Sequence, residues 1–302
     1  MRGAAFTLPR LSVAPERTAG VLKRMEIVMR KLVLSCDGSL SAMQNARRAG
    51  WDGVFFGYRD GEQLRTSAGI AAREGLFVQS VHAPFEDIWR LWEDACDGGE
   101  QELNHQIACI QATAGIGVDL VIEHAIIGMD RHTPTEIGVE RFGKLVNAAR
   151  DAGVRIALEN TEGEEYLAAL MQAYGSDPIV GFCIDTGHEL CYNRGQDMIG
   201  KYGKKKVFGT HLNDNMGMTG EALTWLDDAH MLPYDGVADW ENVAKRLKNA
   251  AFAGPLTFEL IQENRPERHT NDRYEALSQS DYFRLAHEHA CRFAAQMERA
   301  EG

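Results

Sequence analysis

Short apolar runs that end in a histidine or a carboxylate constrain the fold of this chain more than any other feature. Residues 155–159 end in Glu159 and residues 181–185 end in Asp185, and polar residues and glycine follow both runs. Similar runs end at His82, His124, His211 and Glu259. A buried parallel strand reads as a continuous apolar run and presents its functional side chain at its carboxyl end. Six such ends directed at one place predict a metal site.

The apolar runs alternate with segments of helical spacing. We predict helices at residues 40–49, 61–74, 101–116, 135–152, 164–174, 196–202, 240–250 and 278–299. Ser39 is expected to cap the first helix and Gly50 to end it. Eight strand–helix units without a break predict an α/β protein, a single-domain (β/α)₈ TIM barrel over residues 31–302. A doubly wound sheet would need a glycine-rich phosphate turn after its first strand, and residues 37–39 do not provide one.

Composition excludes several classes of partner. The net charge of −12 disfavours nucleic acid. No apolar run approaches the roughly 20 residues of a membrane helix, so no membrane partner is expected. The six cysteines form no CxxC pair and indicate reduced thiols of a cytoplasmic protein. We expect residues 1–30 to be a leader, either disordered or the product of a misassigned start codon, because the first strand begins only at Lys31.

Four strand-end motifs resemble those of a known superfamily. The motifs are Leu158-Glu159-Asn160-Thr161, Ile184-Asp185-Thr186-Gly187-His188, His211-Leu212-Asn213-Asp214 and Phe258-Glu259. They are similar to the metal-binding strand ends of the xylose isomerase-like TIM barrels, the sugar phosphate isomerase/epimerase family, from about Lys31 to Arg265. The resemblance implies a metal site formed by Glu159, Asp185, His211 and Glu259. It further implies that Glu159 and Glu259 act as the acid/base pair on either side of an enediolate.

The residue types alone favour the same chemistry. Two glutamates, one aspartate and one histidine form an oxygen-rich site that suits Mn²⁺ best, with Mg²⁺, Co²⁺ and Zn²⁺ as alternatives. One divalent ion there would polarise a substrate carbonyl, and a carboxylate base could then remove the neighbouring proton. We therefore predict a metal-dependent isomerase or epimerase of a small sugar or related α-hydroxycarbonyl compound.

Five further residues are predicted to contact the substrate. By resemblance to the epimerases, His188 and Glu165 would orient hydroxyl groups, and His82 and His124 would complete the pocket floor. Trp89, with Trp92 and Phe85, is expected to form an apolar wall or lid. The epimerases have an arginine where this chain has Gly217, which disfavours a strict ketohexose 3-epimerase. The sequence leaves substrate phosphorylation and oligomeric state open, a homo-oligomer included.

Two alternative functions remain. The superfamily includes endonuclease IV, whose nine ligands hold three zinc ions, and position by position this chain offers His82, His124, Glu159, Asp185, His188, His211, Asp228, His230 and Glu259. Asp228 and His230, however, also resemble a segment common among sugar isomerases, where they would be additional metal ligands. The loop at residues 83–99 is acidic, which does not suit a DNA phosphate backbone. The other alternative is a barrel that has lost catalysis.

Overall fold

The structure is a computed structural model that describes residues 30–93, 97–129 and 133–300. The predicted leader, residues 1–30, lies outside the described residues except for Arg30. The Arg30 guanidinium donates hydrogen bonds to the carbonyl oxygens of Phe252 at 2.8 Å and Gly254 at 3.2 Å. The first described residue is thereby held at the end of the barrel where the strands begin.

Strands and helices alternate as the sequence predicts. The strands are β1 (Leu32–Ser35), β2 (Gly53–Gly57), β3 (Phe77–His82), β4 (Leu120–His124), β5 (Arg155–Glu159), β6 (Val180–Asp185), β7 (Val207–His211) and β8 (Leu256–Phe258). The helices are α1 (Leu40–Ala49), α2 (Gly61–Arg73), α3 (Asp97–Gly115), α4 (Glu136–Ala152), α5 (Glu164–Tyr174), α6 (Thr186–Cys191), α7 (Trp240–Asn249), α8 (Asp272–Glu275) and α9 (Gln279–Arg299). Within the described part of the chain, no helix combines the length and the apolar character needed to cross a membrane.

The strands form one nearly closed parallel barrel. Each strand from β1 to β6 pairs with the next, and β1 also pairs with β8. The seam between β7 and β8 is narrow: a single parallel bridge joins Leu212 to Phe258, and the Leu212 N–H donates to the Thr257 carbonyl at 2.8 Å. The predicted single-domain (β/α)₈ TIM barrel is therefore confirmed.

Local signals in the sequence define the helix ends. The Ser39 hydroxyl accepts a hydrogen bond from the Ala42 N–H at 3.2 Å, so Ser39 caps α1 as predicted. Gly50 ends the helix at φ +107°, a left-handed conformation that glycine adopts without steric cost. Both predicted caps are confirmed.

The segment after β6 differs from the prediction. The sequence predicts its helix at residues 196–202, but α6 begins directly after Asp185, and only a short π-helix, Ile199–Gly203, occupies the predicted region. The reason is local: Asp185 caps α6, because its carboxylate accepts the His188 N–H at 2.7 Å. The early helix places the His188 ring beside the strand end.

An apolar layer lies inside the barrel beneath the strand ends. Ala157 and Cys183 pack into a small buried cluster with two residues of β4. Because side chains alternate along a strand, Ala157 lies on the same face as Glu159, and Cys183 on the same face as Asp185. The carboxylates of Glu159 and Asp185 therefore have only apolar side chains beneath them. Any charge that they carry must be compensated by groups on the other side, at the carboxyl ends of the strands.

The contacts at the seam between β7 and β8 lead to a prediction about the Thr210 hydroxyl. The buried Thr210 Oγ1 accepts the Thr257 N–H at 3.0 Å and lies 3.3 Å from the Thr257 carbonyl. Thr210→Val keeps the shape but leaves that buried N–H without a partner. We expect the free energy of unfolding in urea to fall by about 1–3 kcal/mol.

Thr257→Val is the matched control on the other side of the seam. The buried Thr257 hydroxyl has no hydrogen-bond partner among the described residues. Its removal should leave the stability unchanged or raise it. Equal destabilisation by the two substitutions would show that the Thr210 hydroxyl does not hold the seam together.

Candidate metal centre

Four strands deliver the predicted metal ligands to one point. Glu159 ends β5, Asp185 ends β6, His211 ends β7, and Glu259 directly follows β8. One ligand atom from each of these four side chains lies within 4.8 Å of those of the other three. The carboxyl ends of parallel barrel strands meet at the same face, which is why residues up to 100 positions apart converge here.

The Glu159 carboxylate is the centre of the group. Its Oε1 accepts a hydrogen bond from His211 Nδ1 at 3.1 Å and lies 3.4 Å from His188 Nδ1. Its Oε2 lies 3.4 Å from His82 Nε2 and 3.5 Å from His124 Nε2. Four imidazole rings therefore surround one carboxylate that has no exposed surface.

Opposed effects set the charges of this group. Burial by itself raises the pKa of Glu159, but His211 and the neighbouring rings outweigh it and hold that pKa well below the usual range. Burial lowers the pKa of His211, and the carboxylates of Glu159 and Glu259 reverse this and raise it well above its usual value. His211 Nδ1 also lies 3.1 Å from Glu259 Oε2. Two carboxylates thus share one imidazole nitrogen.

Asp185 is held by neutral donors. Its Oδ2 accepts from Asn213 Nδ2 at 2.7 Å, and its backbone N–H donates to Asn160 Oδ1 at 2.8 Å. Burial raises its pKa to about 6, even though His188 and His230 oppose the shift. Asn213 fixes the carboxylate and Asn160 the backbone, and neither neutralises the charge, so Asp185 retains a need for a cation.

A second cluster adjoins the first. His230 Nε2 lies 2.9 Å from Asp228 Oδ2, and His188 Nε2 lies 3.4 Å from the same oxygen. The Arg265 guanidinium lies 3.2 Å from this oxygen and also donates to the Asp228 carbonyl at 2.5 Å. Burial lowers the pKa of His230, but Asp228 outweighs it and raises that pKa to about 9. Asp228 and His230, the additional ligands predicted from the sequence, therefore lie beside the four-residue group.

A buried ion pair anchors the helix that carries His188. Glu189, the next residue of α6, accepts hydrogen bonds from both terminal nitrogens of Arg246 at 2.7 and 2.8 Å and from the Met198 N–H at 3.0 Å. A bidentate arginine–carboxylate pair fixes direction as well as distance. It therefore limits the rotation of α6 and, with it, the position of the His188 ring.

The four residues fit a divalent cation. Two buried carboxylates, with the partly buried carboxylate of Glu259 within reach of both, are costly unless positive charge compensates them. In addition, Glu159 Oε2 and His211 Nε2 are buried without a hydrogen-bond partner in the described segments. Oxygen-rich donors with one imidazole suit Mn²⁺, Mg²⁺ or Zn²⁺. The raised pKa values of His188, His211 and His230 favour protonated imidazoles that compensate part of this charge, and a metal ion would supply it instead.

A cavity of about 980 Å³ opens above this centre. Its lining includes three of the residues predicted to contact the substrate, His82, His124 and His188. Glu259 also lines it, whereas Glu159 lies beneath. The predicted contacts Glu165 and Trp89 are not among its lining residues.

The turn after β5 and the predicted aromatic wall differ in part from the prediction. Glu162, rather than Glu165, faces the cavity, and its buried carboxylate accepts the Gly128 N–H at 2.6 Å. Of the three aromatic residues predicted to form a wall, Phe85 lines the cavity and its ring stacks on His124 at 4.8 Å, whereas Trp89 and Trp92 do not line it. The sequence could have indicated Glu162 by its position in the turn between Glu159, where β5 ends, and the start of α5.

Solved structures of low sequence identity share this fold. One is a zinc-bound IOLI protein, with a TM-score of 0.68 and 18% identity, covering 88% of this chain and 99% of that one. Another is an L-ribulose 3-epimerase, with a TM-score of 0.63 and 17% identity, covering 89% of this chain and 96% of that one. At this identity the likeness establishes the barrel fold.

Sequence comparison gives the family. An uncharacterised protein of Sinorhizobium fredii, y4fM, is 30% identical over 196 residues. The match covers 61% of this chain and 57% of that relative, so the chain spans little more than half of its length. The xylose isomerase-like TIM barrel family matches residues 43–280, most of the described barrel. The chain therefore belongs to the xylose isomerase-like TIM barrel family.

Proposed function

We propose that the protein is a divalent-metal-dependent sugar isomerase or epimerase. The observation that carries this proposal is the pair of carboxylates, Glu159 and Glu259, which share the His211 imidazole at 3.1 Å each below an open cavity. Moving a proton beside a carbonyl needs an ionised carboxylate at the substrate and a cation to stabilise negative charge. This site supplies the carboxylate and can hold the cation.

The two glutamates occupy different environments. The Glu259 side chain is 23% exposed and lines the cavity, whereas the Glu159 side chain has no exposed surface. Burial raises the pKa of Glu259, but His211 outweighs it and lowers that pKa to about 2, so the carboxylate is ionised. Because Glu259 is the one of the two glutamates that faces the cavity, we assign the first proton abstraction to it. Glu159 would act mainly as a ligand and as the partner in returning the proton.

Glu159, Asp185, His211 and Glu259 would hold the metal. When bound, the ion supplies polarisation of the substrate carbonyl and of the adjacent hydroxyl. Mn²⁺ is the expected ion because three of the four ligands are carboxylates. Around it, His82, His124 and His188 line the cavity at positions where their rings can orient the hydroxyl groups of a small sugar.

The structural relatives support the same class. One of the similar barrels is described as an L-ribulose 3-epimerase, another as a D-psicose 3-epimerase with bound D-tagatose, and the IOLI protein carries zinc. The glycine at position 217 argues against a strict ketohexose 3-epimerase. A small sugar or related α-hydroxycarbonyl compound is therefore the proposed substrate.

A specific observation keeps a trinuclear phosphodiesterase as the second candidate. The described residues contain three groups of side chains that could bind a metal: His82, Glu159 and His211; His188, Asp228 and His230; and the group of four, which shares Glu159 and His211 with the first. His124, the ninth residue of that pattern, lies 3.5 Å from Glu159. Against this function, the cavity lining includes Asp37, Glu86 and Glu263, which repel phosphate.

The first prediction concerns the metal. Elemental analysis of the purified protein should find one divalent ion per chain, and Glu159→Ala should lose it. Outer partners of a metal ligand are worth about 10–100-fold in affinity, so removal of a direct ligand should weaken Mn²⁺ binding by more than about 100-fold. Titration calorimetry of the chelator-treated protein measures this.

Glu267→Ala is the control for that measurement. Glu267 is an exposed carboxylate in the segment after β8 and does not line the cavity. Its substitution should leave the Mn²⁺ affinity unchanged. Two or three zinc ions per chain would instead favour the phosphodiesterase, and no ion even after soaking would indicate a barrel without catalysis.

The second prediction concerns proton transfer. The metal-loaded protein should exchange the hydrogen next to the carbonyl of its sugar substrate with solvent deuterium, as detected by NMR. Glu259→Gln removes the base and keeps the shape of the side chain. The exchange rate should therefore fall by about 10²–10⁴-fold, the contribution typical of general-base catalysis. Glu267→Gln should exchange at the wild-type rate. Unchanged exchange in Glu259→Gln would refute the assigned role.

The third prediction separates the two candidate functions. A phosphodiesterase would nick duplex DNA that contains an abasic site, and its binding would weaken steeply with salt. We expect neither nicking nor binding at low salt, because acidic residues line the cavity. Metal-dependent nicking that is lost in His230→Ala would overturn the isomerase proposal.

A further inference from the structure

The cavity is larger than one small sugar requires. Its volume of about 980 Å³ lies at the upper end of the roughly 300–1,000 Å³ range of pockets that bury drug-sized ligands. All candidate metal ligands lie on β3 to β8 or on the segments that follow them. A sugar bound at the metal centre would therefore occupy one side of the cavity and leave the side over β1 and β2 unfilled. We call that unfilled side the distal side.

Both polar and aromatic side chains line the distal side. Its polar side chains are those of Ser35, Asp37, Arg59, Gln63 and Gln279. Its apolar surface includes that of Cys36, Ala42, Tyr58, Tyr282 and Phe283. Asp37, Arg59 and Gln279 are exposed, and Tyr58 is half-buried. A ligand on this side would thus meet charged and amide groups as well as an aromatic ring.

Three of the polar side chains have atoms that remain available to a ligand. The exposed guanidinium of Arg59 makes no hydrogen bond or ion pair with another residue in the described ranges. Asp37 Oδ1 accepts the Ser39 N–H at 2.8 Å, which leaves Oδ2 available. Gln279 Oε1 accepts a hydrogen bond from the Asn45 amide at 2.8 Å, which leaves the Gln279 amide nitrogen available. The distal side therefore offers one carboxylate oxygen that accepts and two nitrogen groups that donate.

The other polar side chains shape the distal side. Ser35 Oγ accepts the Leu260 N–H at 3.0 Å, and Gln63 Nε2 donates to Ser67 Oγ at 2.9 Å. Gln63 Oε1 and the Tyr282 hydroxyl are buried and have almost no exposed surface, so we assign them no hydrogen bond to a ligand. The polar contacts of a ligand are therefore left to the three available side chains.

We propose that the substrate is a ketose joined to a second, neutral sugar unit, with the ketose at the metal centre and the second unit on the distal side. This proposal rests on the proposed sugar isomerase or epimerase function and specifies its substrate class. The ketose supplies the carbonyl that the proton transfer requires. Hydroxyl groups of the second unit donate to Asp37 and accept from Arg59 and Gln279, and the apolar C–H face of its ring contacts Tyr58.

The charges favour a neutral sugar over an ionic group. The exposed carboxylates of Asp37 and Glu263 line the cavity together with the Arg59 guanidinium. An anionic group such as a phosphate would be attracted by Arg59 and repelled by both carboxylates, and an ammonium group would be repelled by Arg59. A hydroxyl group both donates and accepts, so a neutral sugar can pair with the carboxylate and with the guanidinium.

An aryl group would fit the distal side less well. It would displace water from Asp37, Arg59 and Gln279 without replacing the lost hydrogen bonds, which costs free energy. A sugar ring combines an apolar face with a rim of hydroxyl groups. It therefore matches an aromatic ring that is bordered by polar side chains.

Binding of D-fructose and of its disaccharides to the Mg²⁺-loaded protein tests the proposal. The disaccharides are turanose, maltulose, lactulose and isomaltulose, which carry the second sugar on O3, O4 or O6 of D-fructose and retain its keto group. In titration calorimetry at least one of them should bind about 10-fold or more tightly than D-fructose, because it gains two or more hydrogen bonds. The proposal is overturned if none binds more tightly than D-fructose, or if D-fructose 6-phosphate binds more tightly than all of them.

Saturation-transfer NMR locates the second sugar unit. Mg²⁺ suits this measurement because it is diamagnetic and leaves the ligand signals sharp. In the preferred disaccharide, protons of the second unit should receive saturation from the protein as strongly as the fructosyl protons do. Saturation confined to the fructosyl protons would show that the second unit remains in solvent, which contradicts the proposal.

Two substitutions test the assigned contacts. Arg59→Ala, and separately Asp37→Asn, should weaken binding of the preferred disaccharide by about 5–10-fold, the value of one hydrogen bond, and leave the affinity for D-fructose unchanged. Arg73→Ala is the matched control, because Arg73 is an exposed arginine at the far end of α2 and does not line the cavity. Unchanged disaccharide binding in both variants, or equal losses for the disaccharide and D-fructose, would refute the assignment.

Failure of this inference can be distinguished from failure of the proposed function. Calorimetry and saturation transfer report binding, whereas deuterium exchange beside the keto group reports the chemistry. Tight disaccharide binding without deuterium exchange would reject the isomerase or epimerase and retain the distal side as a sugar site. Deuterium exchange in a ketose without any preference for the disaccharides would retain the enzyme and reject the second sugar unit.

Discussion

The fully buried carboxylate of Glu159 is the constraint on which the rest of the site depends. An ionised carboxylate without compensation is among the most costly groups to bury in a protein. Here four imidazoles surround it, those of His82, His124, His188 and His211. Each ring comes from a different strand end or from the helix that follows one. The arrangement is therefore stable only when the barrel is closed and all these segments are in place.

Closure in turn depends on polar contacts that are remote from any substrate. Asn160 and Asn213 hold Asp185 from two neighbouring segments, and the Glu189–Arg246 pair fixes α6. None of these side chains needs to touch a ligand to matter, since each sets the direction of one that does. Sites supported in this way keep their geometry before a ligand arrives, which lowers the cost of binding.

The sequence predicts the barrel and the convergent residues well, because both follow from periodicity. A buried strand has a recognisable apolar run, and the residue at its carboxyl end is known to within one position. No comparable rule gives the direction of side chains in loops. Trp89 and Glu165 were predicted to face the substrate but do not line the cavity, whereas Phe85, predicted with Trp89, and the unpredicted Glu162 do. Spacing along a loop does not determine side-chain direction, which depends on turns such as the left-handed Gly163 at φ +70°.

The charge balance of the site connects its folding to its function. The carboxylates raise the pKa of His211 and His188 well above the usual range, which favours protonated imidazoles at the centre when no metal is bound. A divalent ion must replace these protons, because His211 can coordinate a metal only through a deprotonated nitrogen. The same rings would therefore compensate the carboxylates without a metal and release their protons to one that binds. Glu259, which lines the cavity, is the carboxylate to which we assign proton exchange with a substrate.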